Sequence, residues 1–350
     1  MGAGSAAAGR PLRAAFLRGA LITLAGAGLW GVSGACSQFV LSQGVPPTFV
    51  TAVRALVAGA LFLALLLVKR RDTLARIFAD RRAVAQVCVF GVGLFGSQIT
   101  FAISIDYTNA GTATVLQMLG SVFIMLYVCL RGRTLPRVGE AAGLACALAA
   151  TFLIATQGNP GTLVLPAAGL FWGVMNGLAV ALYVVCPKEF GLFRRFGSLT
   201  VTGLGMCVAG VLAALVWLAQ AALAGSVQSA GEMAAVAHGF PTQETSLLDA
   251  LVPALDGAGW LVLVVGIGIV GTFVAFGLYI GGVARVGSVP GGLLGAVEPL
   301  SATVLSALWL GTAFSWADWA GFALMVAMVV LVTVGGAKPA GSAHGARKEG

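Results

Sequence analysis

The chain has 350 residues, of which 59% are hydrophobic and only 9% are charged. A soluble domain carries roughly 25% charged residues, so this composition excludes an ordinary water-soluble fold. The net charge of +8 is compatible with binding to nucleic acid or to a membrane, and the positions of the basic residues decide between the two.

The apolar residues come in runs of about twenty, separated by short polar segments. A helix of that length crosses a hydrocarbon core of about 30 Å and pairs its own backbone groups, which an open strand in lipid does not. The sequence therefore predicts an all-α membrane protein with ten transmembrane helices, surrounded by a lipid bilayer. The predicted spans are 18–41, 47–68, 83–105, 110–130, 138–157, 166–187, 199–223, 259–281, 288–310 and 316–335.

The predicted polar parts of the chain are an N-terminal tail at 1–17, a C-terminal tail at 336–350 and a long connection at about 224–258. Leucine and valine residues at 247, 248, 251, 252 and 255 follow helical spacing, so a short interfacial helix and a solvated linker are both open for this connection. The first span follows a basic segment, as a signal peptide does. Its 24 residues exceed the roughly 7–15 apolar residues of a signal core, so we expect it to stay uncleaved.

The basic residues lie on one side of this predicted topology. Every Lys and Arg except Arg54 falls in the tails or in the loops of that side. The loops of the other side contain only acidic charges, namely Asp106, Glu232, Glu244, Asp249, Asp256 and Asp318. Because Lys and Arg are retained in the cytoplasm, both termini are predicted to be cytoplasmic in a cell membrane, with no nucleic-acid partner.

The two halves of the sequence are related by a duplication. Residues 29–32 recur as 171–174, the pattern of 50–61 recurs at 201–212, and the glycines and phenylalanine of 91–101 recur at 266–276, in the same order. The predicted units are residues 18–157 and 166–335, with five helices each. An odd number of helices forces the second unit to enter the membrane from the opposite side, so we predict two inverted five-helix repeats, the architecture of many transporters.

The Trp-Gly start of each unit, the segment Val53-Arg54-Ala55 and the segment Leu294-Gly295-Ala296-Val297-Glu298-Pro299-Leu300 resemble the drug/metabolite transporter superfamily, with two tandem EamA-type domains over roughly residues 18 to 335. The resemblance implies a ten-helix secondary transporter that usually exports amino acids, related metabolites or toxic compounds through a central cavity. Two features depart from it. Gly132-Arg133 and Gly311-Thr312 stand where such domains often have Gly-Glu, and Leu119-Gly120 is the counterpart of Glu298-Pro299.

Only two charged residues lie well inside the predicted spans, away from their ends, Arg54 and Glu298. A charge at the bilayer centre costs about 2.5–3.5 kcal/mol on insertion scales, so each is a candidate for substrate binding or coupling. The alternative for Glu298 is a structural, hydrogen-bonded carboxyl beside Pro299. Arg54 either snorkels to the interface or points inward, where it would pair with Glu298 or bind a substrate carboxylate.

Uncharged polar and aromatic residues recur at helical spacing and are predicted to line the same cavity, although each is equally compatible with contacts between helices. The further candidate substrate-binding residues are Trp30, Gln98, Gln117, Trp172, Asn176, Tyr183 and Tyr279.

The sequence favours an exporter of small metabolites or drugs that works by alternating access, with a small-molecule substrate and coupling to a proton or other ion. A membrane-embedded scaffold, a channel and an intramembrane enzyme are the alternatives, and a homodimer stays open. The spans contain no nucleophile motif and no paired acids, and the two histidines, His238 and His344, lie in loops. We therefore expect no enzymatic activity, no cofactor and no metal.

Overall fold

The computed structural model describes residues 4–136, 138–159, 161, 163–237 and 252–335, and all regular secondary structure within them is helical. The helices, labelled in chain order, are α1 (Gly4–Leu41), α2 (Pro47–Lys69), α3 (Arg71–Ala79), α4 (Arg81–Tyr107), α5 (Ala110–Gln117), α6 (Leu119–Gly132), α7 (Val138–Thr156), α8 (Ala167–Glu189), α9 (Leu192–Phe196), α10 (Ser198–Ala237), α11 (Gly257–Leu261), a π-helix π1 (Val262–Val274), α12 (Ala275–Val286), α13 (Ser288–Gly295), α14 (Val297–Leu310) and α15 (Trp316–Gly335).

Eight helical segments in the described residues are long and apolar enough to cross a membrane, and two shorter apolar helices, Val297–Leu310 and Trp316–Leu331, follow them. The fourth span is α5 with α6, the eighth is α11, π1 and α12, and the ninth is α13 with α14. The predicted fold class is confirmed: an all-α membrane protein with ten transmembrane helices in two inverted five-helix repeats.

Most close helix contacts join a helix of one repeat to a helix of the other repeat. The first helix of each repeat packs against the third and fourth of the other: α1 contacts π1, α12 and α14, and α8 contacts α4, α5 and α6. The second helices, α2 and α10, pack against each other, as do the fifth helices, α7 and α15. This arrangement buries residues of both repeats along the middle of the bundle, so a central site there takes side chains from both halves.

Two glycines at equivalent repeat positions bring α2 and α10 together. A Cβ on Gly59 would lie 3.2 Å from Cys207 Cα, and a Cβ on Gly210 would lie 3.0 Å from the carbonyl oxygen of Ala55. The partners nearly correspond as well, since Ala55 aligns with Met206, the neighbour of Cys207. Close backbone approach at small residues is how membrane helices associate without a hydrophobic driving force between them.

The fourth helix of each repeat is interrupted near its middle, where the sequence predicts an unbroken span. The first interruption is at Met118, between α5 and α6, and the second is at Ala296, between α13 and α14. At Met118 the backbone changes to the tighter i to i+3 pairing: Met118 N donates to Val115 O at 3.0 Å, and Ser121 N donates to Met118 O at 3.0 Å. Each interruption places a helix end inside the bundle, where backbone groups and side chains face the other repeat.

The third helices of the two repeats differ in backbone geometry. In the first repeat, α4 is an α-helix throughout, whereas the corresponding segment of the second repeat contains the wider π1. Within π1, the Thr272 hydroxyl donates to the carbonyl of Ile267, five residues earlier, at 2.8 Å. Short π segments are frequent at functional sites because they redirect side chains, and Thr272 points to the middle of the molecule.

Two helices extend beyond the predicted spans. Helix α1 begins at Gly4 instead of 18, and α10 continues to Ala237 instead of ending near 223. Both extensions are rich in alanine, the strongest helix former. Each helix therefore continues beyond the end of its predicted apolar span. The tail at 336–350 and most of the candidate interfacial helix lie outside the described residues, and Val252 and Leu255 are not helical.

Candidate functional site

A small cavity of about 60 Å³ lies between the two repeats. The first repeat contributes side chains from α1, α2, α4 and α5, and the second contributes side chains from α8, α12 and α14. The lining residues are Trp30, Arg54, Leu94, Ser97, Gln98, Phe101, Gln117, Tyr183, Phe276 and Glu298.

Glu298 is buried, with 8% of the residue exposed, in the first turn of α14. Gln117, the last residue of α5, donates from Nε2 to Glu298 Oε1 at 3.0 Å. Both residues line the cavity, and each lies beside the interruption in its own fourth helix. A carboxylate is also favoured in the first turn of a helix, where the backbone dipole is positive.

Arg54 lies inside the bundle and does not reach the interface, since only 6% of it is exposed. Its Nε and Nη2 donate to Thr272 Oγ1 at 3.3 and 3.2 Å. Among the residues described by the structure, no carboxylate lies within 4.0 Å of it, so the direct pair with Glu298 that the sequence left open is not formed. A guanidinium has five N–H donors, and Thr272 engages only part of this capacity.

Aromatic rings form one wall of the cavity. Trp30 is packed between Phe276, at 4.8 Å between ring centroids, and Tyr279, at 4.5 Å. The Tyr279 hydroxyl donates to the carbonyl of Gly291 at 3.2 Å and is therefore already engaged. Phe101 and Phe276 occupy equivalent positions in the two repeats and both line the cavity, so its apolar surface is partly symmetric.

Two lining side chains carry buried polar atoms that have no hydrogen-bond partner among the described residues, Trp30 Nε1 and Gln98 Oε1. The amide nitrogen of Gln98 donates to Met206 Sδ at 3.3 Å, so only the oxygen of this side chain is unsatisfied. Unsatisfied buried polar atoms are rare because each costs about 1–3 kcal/mol. Two residues that line the same small cavity therefore carry one donor and one acceptor without a partner.

The chain matches the EamA-like transporter family over residues 17–156 and again over residues 167–334. The chain belongs to the EamA-like transporter family. The resemblance predicted from the sequence is confirmed.

This EamA-like transporter is 32% identical, over 319 residues, to the uncharacterized inner membrane transporter YicL of Salmonella typhimurium, and the match covers 91% of this chain and 95% of that protein. A protein of known crystal structure matches with a TM-score of 0.54 at 21% identity, covering 90% of this chain and 97% of that one. The structural likeness shows a shared fold.

The structure of this EamA-like transporter brings six of the nine sequence-predicted site residues to the cavity: Trp30, Arg54, Gln98, Gln117, Tyr183 and Glu298. Tyr279 lies behind Trp30 and reaches the cavity only through that ring. Asn176 is fully buried and donates from Nδ2 to the carbonyl of Ser97 at 2.7 Å, so it joins α8 to α4. Trp172 packs on Phe171 at 5.2 Å, away from the cavity lining.

Sequence reasoning missed four lining residues, Leu94, Ser97, Phe101 and Phe276. The two phenylalanines carried a signal, because they are a matched pair in the internal repeat. Leu94 and Ser97 carried none, since apolar residues and serines are common throughout the spans. In the described residues, no group of three His, Cys, Asp or Glu side chains is placed to hold a metal ion.

Proposed function

We propose that this EamA-like transporter is a secondary active exporter of small polar metabolites of the amino-acid type, or of related drugs, and that it works by alternating access without a chemical step. The observation that carries the proposal is the buried carboxylate of Glu298 in a cavity formed jointly by two inverted halves. Transporters built from inverted repeats bind substrate near the midplane, where the two halves meet.

The cavity chemistry favours a substrate with both charges. Arg54 has N–H donors beyond those used by Thr272, and these suit a carboxylate. Glu298 suits an ammonium group, while Trp30 Nε1 and Gln98 Oε1 supply a neutral donor and acceptor. Phe101 and Phe276 add apolar walls for a side chain. A zwitterion with a modest apolar group matches this set.

The size of the cavity supports alternating access. A volume of about 60 Å³ holds on the order of two water molecules, whereas ligand pockets measure roughly 300–1,000 Å³. A metabolite therefore enters only after helices move apart on one side. Equivalent helices of the two repeats make corresponding contacts with the other repeat. The two repeats can therefore swap conformations, which would open the same site to the opposite side.

We further propose that Glu298 couples transport to a proton gradient by exchanging its proton against the substrate. Under this scheme substrate and proton compete for one carboxylate, and the two movements are obligatorily linked. The end of the bundle with the Lys and Arg residues is assigned to the cytoplasm, together with both termini, so export runs from that end to the end with Asp106 and Asp256.

The test is a flux assay on purified protein in liposomes, with labelled amino acids as probes and the pH varied on one side. Glu298→Gln keeps the shape of the side chain but cannot release a proton, so we expect uptake to fall at least tenfold and the remaining uptake to be independent of pH. The matched control is Glu189→Gln, which removes a carboxylate outside the cavity that pairs with Arg131 at 2.9 Å.

The same assay separates the alternatives. Saturable uptake and counterflow, in which an internal unlabelled amino acid accelerates entry of the labelled one, support a carrier. Non-saturating uptake without counterflow indicates a channel, and chemical conversion of the probe indicates an enzyme. Unchanged flux and pH dependence in Glu298→Gln would remove this residue from the mechanism.

A further inference from the structure

A second and larger space lies far from the central cavity, at the end of the bundle where the basic residues collect. This cleft, about 340 Å³ in volume, is bordered by the end of α2, by α3, by α9 and by the start of α10. The side chains that define it as the basic cleft are Arg70, Thr73, Arg76, Arg195, Ser198 and Thr200. None of them takes part in the transport site.

The positive charge of the basic cleft is only partly neutralised. Arg195 pairs with Asp80 at 2.9 Å, and this guanidinium together with two backbone N–H donors holds the pKa of Asp80 below its usual value. Arg70 and Arg76 are different. Within the described residues neither has a carboxylate within 4.0 Å, and the one side-chain partner of Arg76 is the Thr73 hydroxyl at 3.2 Å. Two guanidinium groups therefore face one cleft without a counter-charge.

The fold assembles this cleft from separate parts of the chain. Arg70 and Arg76 belong to the first repeat, whereas Arg195 and Ser198 come from the second. Thr73, Ser198 and Thr200 add hydroxyl groups to the same walls. Planar guanidinium groups with neighbouring hydroxyls match the geometry and charge of a phosphate, to which arginine binds through parallel N–H donors.

Helix α3 lies directly after the membrane-spanning helix α2, where lipid headgroups are expected. Helix α3 follows the membrane helix α2 directly and buries Leu74 and Ile77 against the bundle. On its outer side Phe78 is 63% exposed, and Val68 at the end of α2 is 82% exposed. Apolar side chains that stay exposed beside basic ones are typical of a surface lying in the membrane interface.

We propose that the basic cleft binds a phosphate group, of the kind carried by anionic phospholipids and by small phosphorylated metabolites. Binding would join α3 of the first repeat to the start of α10 in the second. The site is independent of the proposed transport function, because it shares no residue with the central cavity.

The test uses the full chain purified in a neutral detergent, with the midpoint of thermal unfolding measured against added phosphatidylglycerol, phosphatidylcholine or inorganic phosphate. We expect phosphatidylglycerol to raise the midpoint and phosphatidylcholine to do so much less. In the double variant Arg70→Gln with Arg76→Gln, the lipid concentration for half the effect should rise about tenfold, because two charge-assisted contacts are lost. Arg76→Lys should fall between this variant and the wild type, since it keeps the charge but not the planar fork.

The matched control is the double variant Arg71→Gln with Arg194→Gln. It removes two exposed arginines from α3 and α9, two helices that border the cleft, and neither residue lines the cleft. We expect its response to phosphatidylglycerol to match that of the wild type. Equal protection by inorganic phosphate would identify a soluble phosphate as the ligand, whereas protection by lipid alone identifies a headgroup. No protection by either, or an equal loss in the control variant, overturns the proposal.

Discussion

The Gln117 amide donates a hydrogen bond of 3.0 Å to the Glu298 carboxylate, and this bond joins the interrupted fourth helices of the two repeats. Gln117 ends α5, and Glu298 lies in the first turn of α14. A motion that separates the two halves must break or redirect this contact. Under the proposed proton coupling, this bond would connect the protonation of the cavity carboxyl to the relative position of the repeats.

Replacing Gln117 with leucine should impair transport. The variant removes the donor while filling a similar volume, and a hydrogen bond to a charged group is worth about 1.5–3 kcal/mol. We expect flux into liposomes to fall roughly tenfold, because each 1.4 kcal/mol corresponds to a factor of about ten. The measurement is the initial rate of labelled amino-acid uptake at a fixed pH gradient.

The control for this experiment is Gln220→Leu, which makes the same change at an exposed position on α10. Its uptake should equal that of the wild type. Equal uptake by Gln117→Leu and Gln220→Leu would mean that the bond to Glu298 has no part in transport.

Replacing Thr272 with valine should destabilise the protein through Arg54. The Thr272 hydroxyl accepts both hydrogen bonds of the buried guanidinium, and valine has nearly the same shape without the oxygen. A buried group left without its partner costs about 1–3 kcal/mol, more when it is charged. We expect the midpoint of thermal unfolding in detergent to fall by several degrees.

Thr51→Val is the comparison for Thr272→Val. Thr51 is fully buried in α2, but its hydroxyl donates only to the carbonyl of Pro47, one turn earlier in the same helix. Such local bonds contribute little, so this variant should unfold close to the wild-type temperature. If the two variants are equally stable, Thr272 does not hold Arg54 in place.

Much of the fold was readable from the sequence because the membrane restricts the choices. A span needs about twenty apolar residues, and the duplication with five spans per unit then determined the inversion. The interruptions at Met118 and Ala296 and the π-helix at Val262–Val274 were not predicted. No residue type marks an interruption or a π-helix reliably in a sequence, since both features depend on how the backbone packs against the other repeat.

The lining of the candidate site was likewise only partly predictable from the sequence. Arg54 and Glu298 were selected from the sequence because a charged residue inside a membrane span is energetically costly and usually has a function. Trp172 and Asn176 were predicted to line the cavity together with Tyr183, and neither is among the residues that line it. Helical spacing gives a face but not the direction in which that face points. The structure turns Asn176 toward the backbone of α4 and Trp172 toward Phe171.

Adding a methyl group at the crossing of α2 and α10 should destabilise the protein at either of two equivalent positions. In Gly59→Ala and Gly210→Ala the new Cβ would meet backbone atoms at 3.2 and 3.0 Å. Overpacking of this kind costs about 1–3 kcal/mol. We expect both midpoints of thermal unfolding to fall by similar amounts. Gly28→Ala in α1, where the new Cβ meets nothing within 4 Å, should leave the midpoint unchanged or slightly higher, because alanine favours a helix more than glycine does.

A direct label decides which end of the bundle faces the cytoplasm. In a background without native cysteines, Ser42→Cys marks the loop after α1, and Ala75→Cys marks the exposed side of α3 at the basic end. An impermeant maleimide added to intact cells should label Ser42→Cys at once and Ala75→Cys only after the membrane is opened, because Lys and Arg are retained inside. The reverse pattern would invert the assigned topology, so the proposed export would run from the end with Asp106 and Asp256 to the basic end. The direction itself would stay outward, because the proton gradient and not the orientation drives the exchange. That result would leave the central cavity unchanged and would alter only the end of the bundle from which Glu298 takes up its proton.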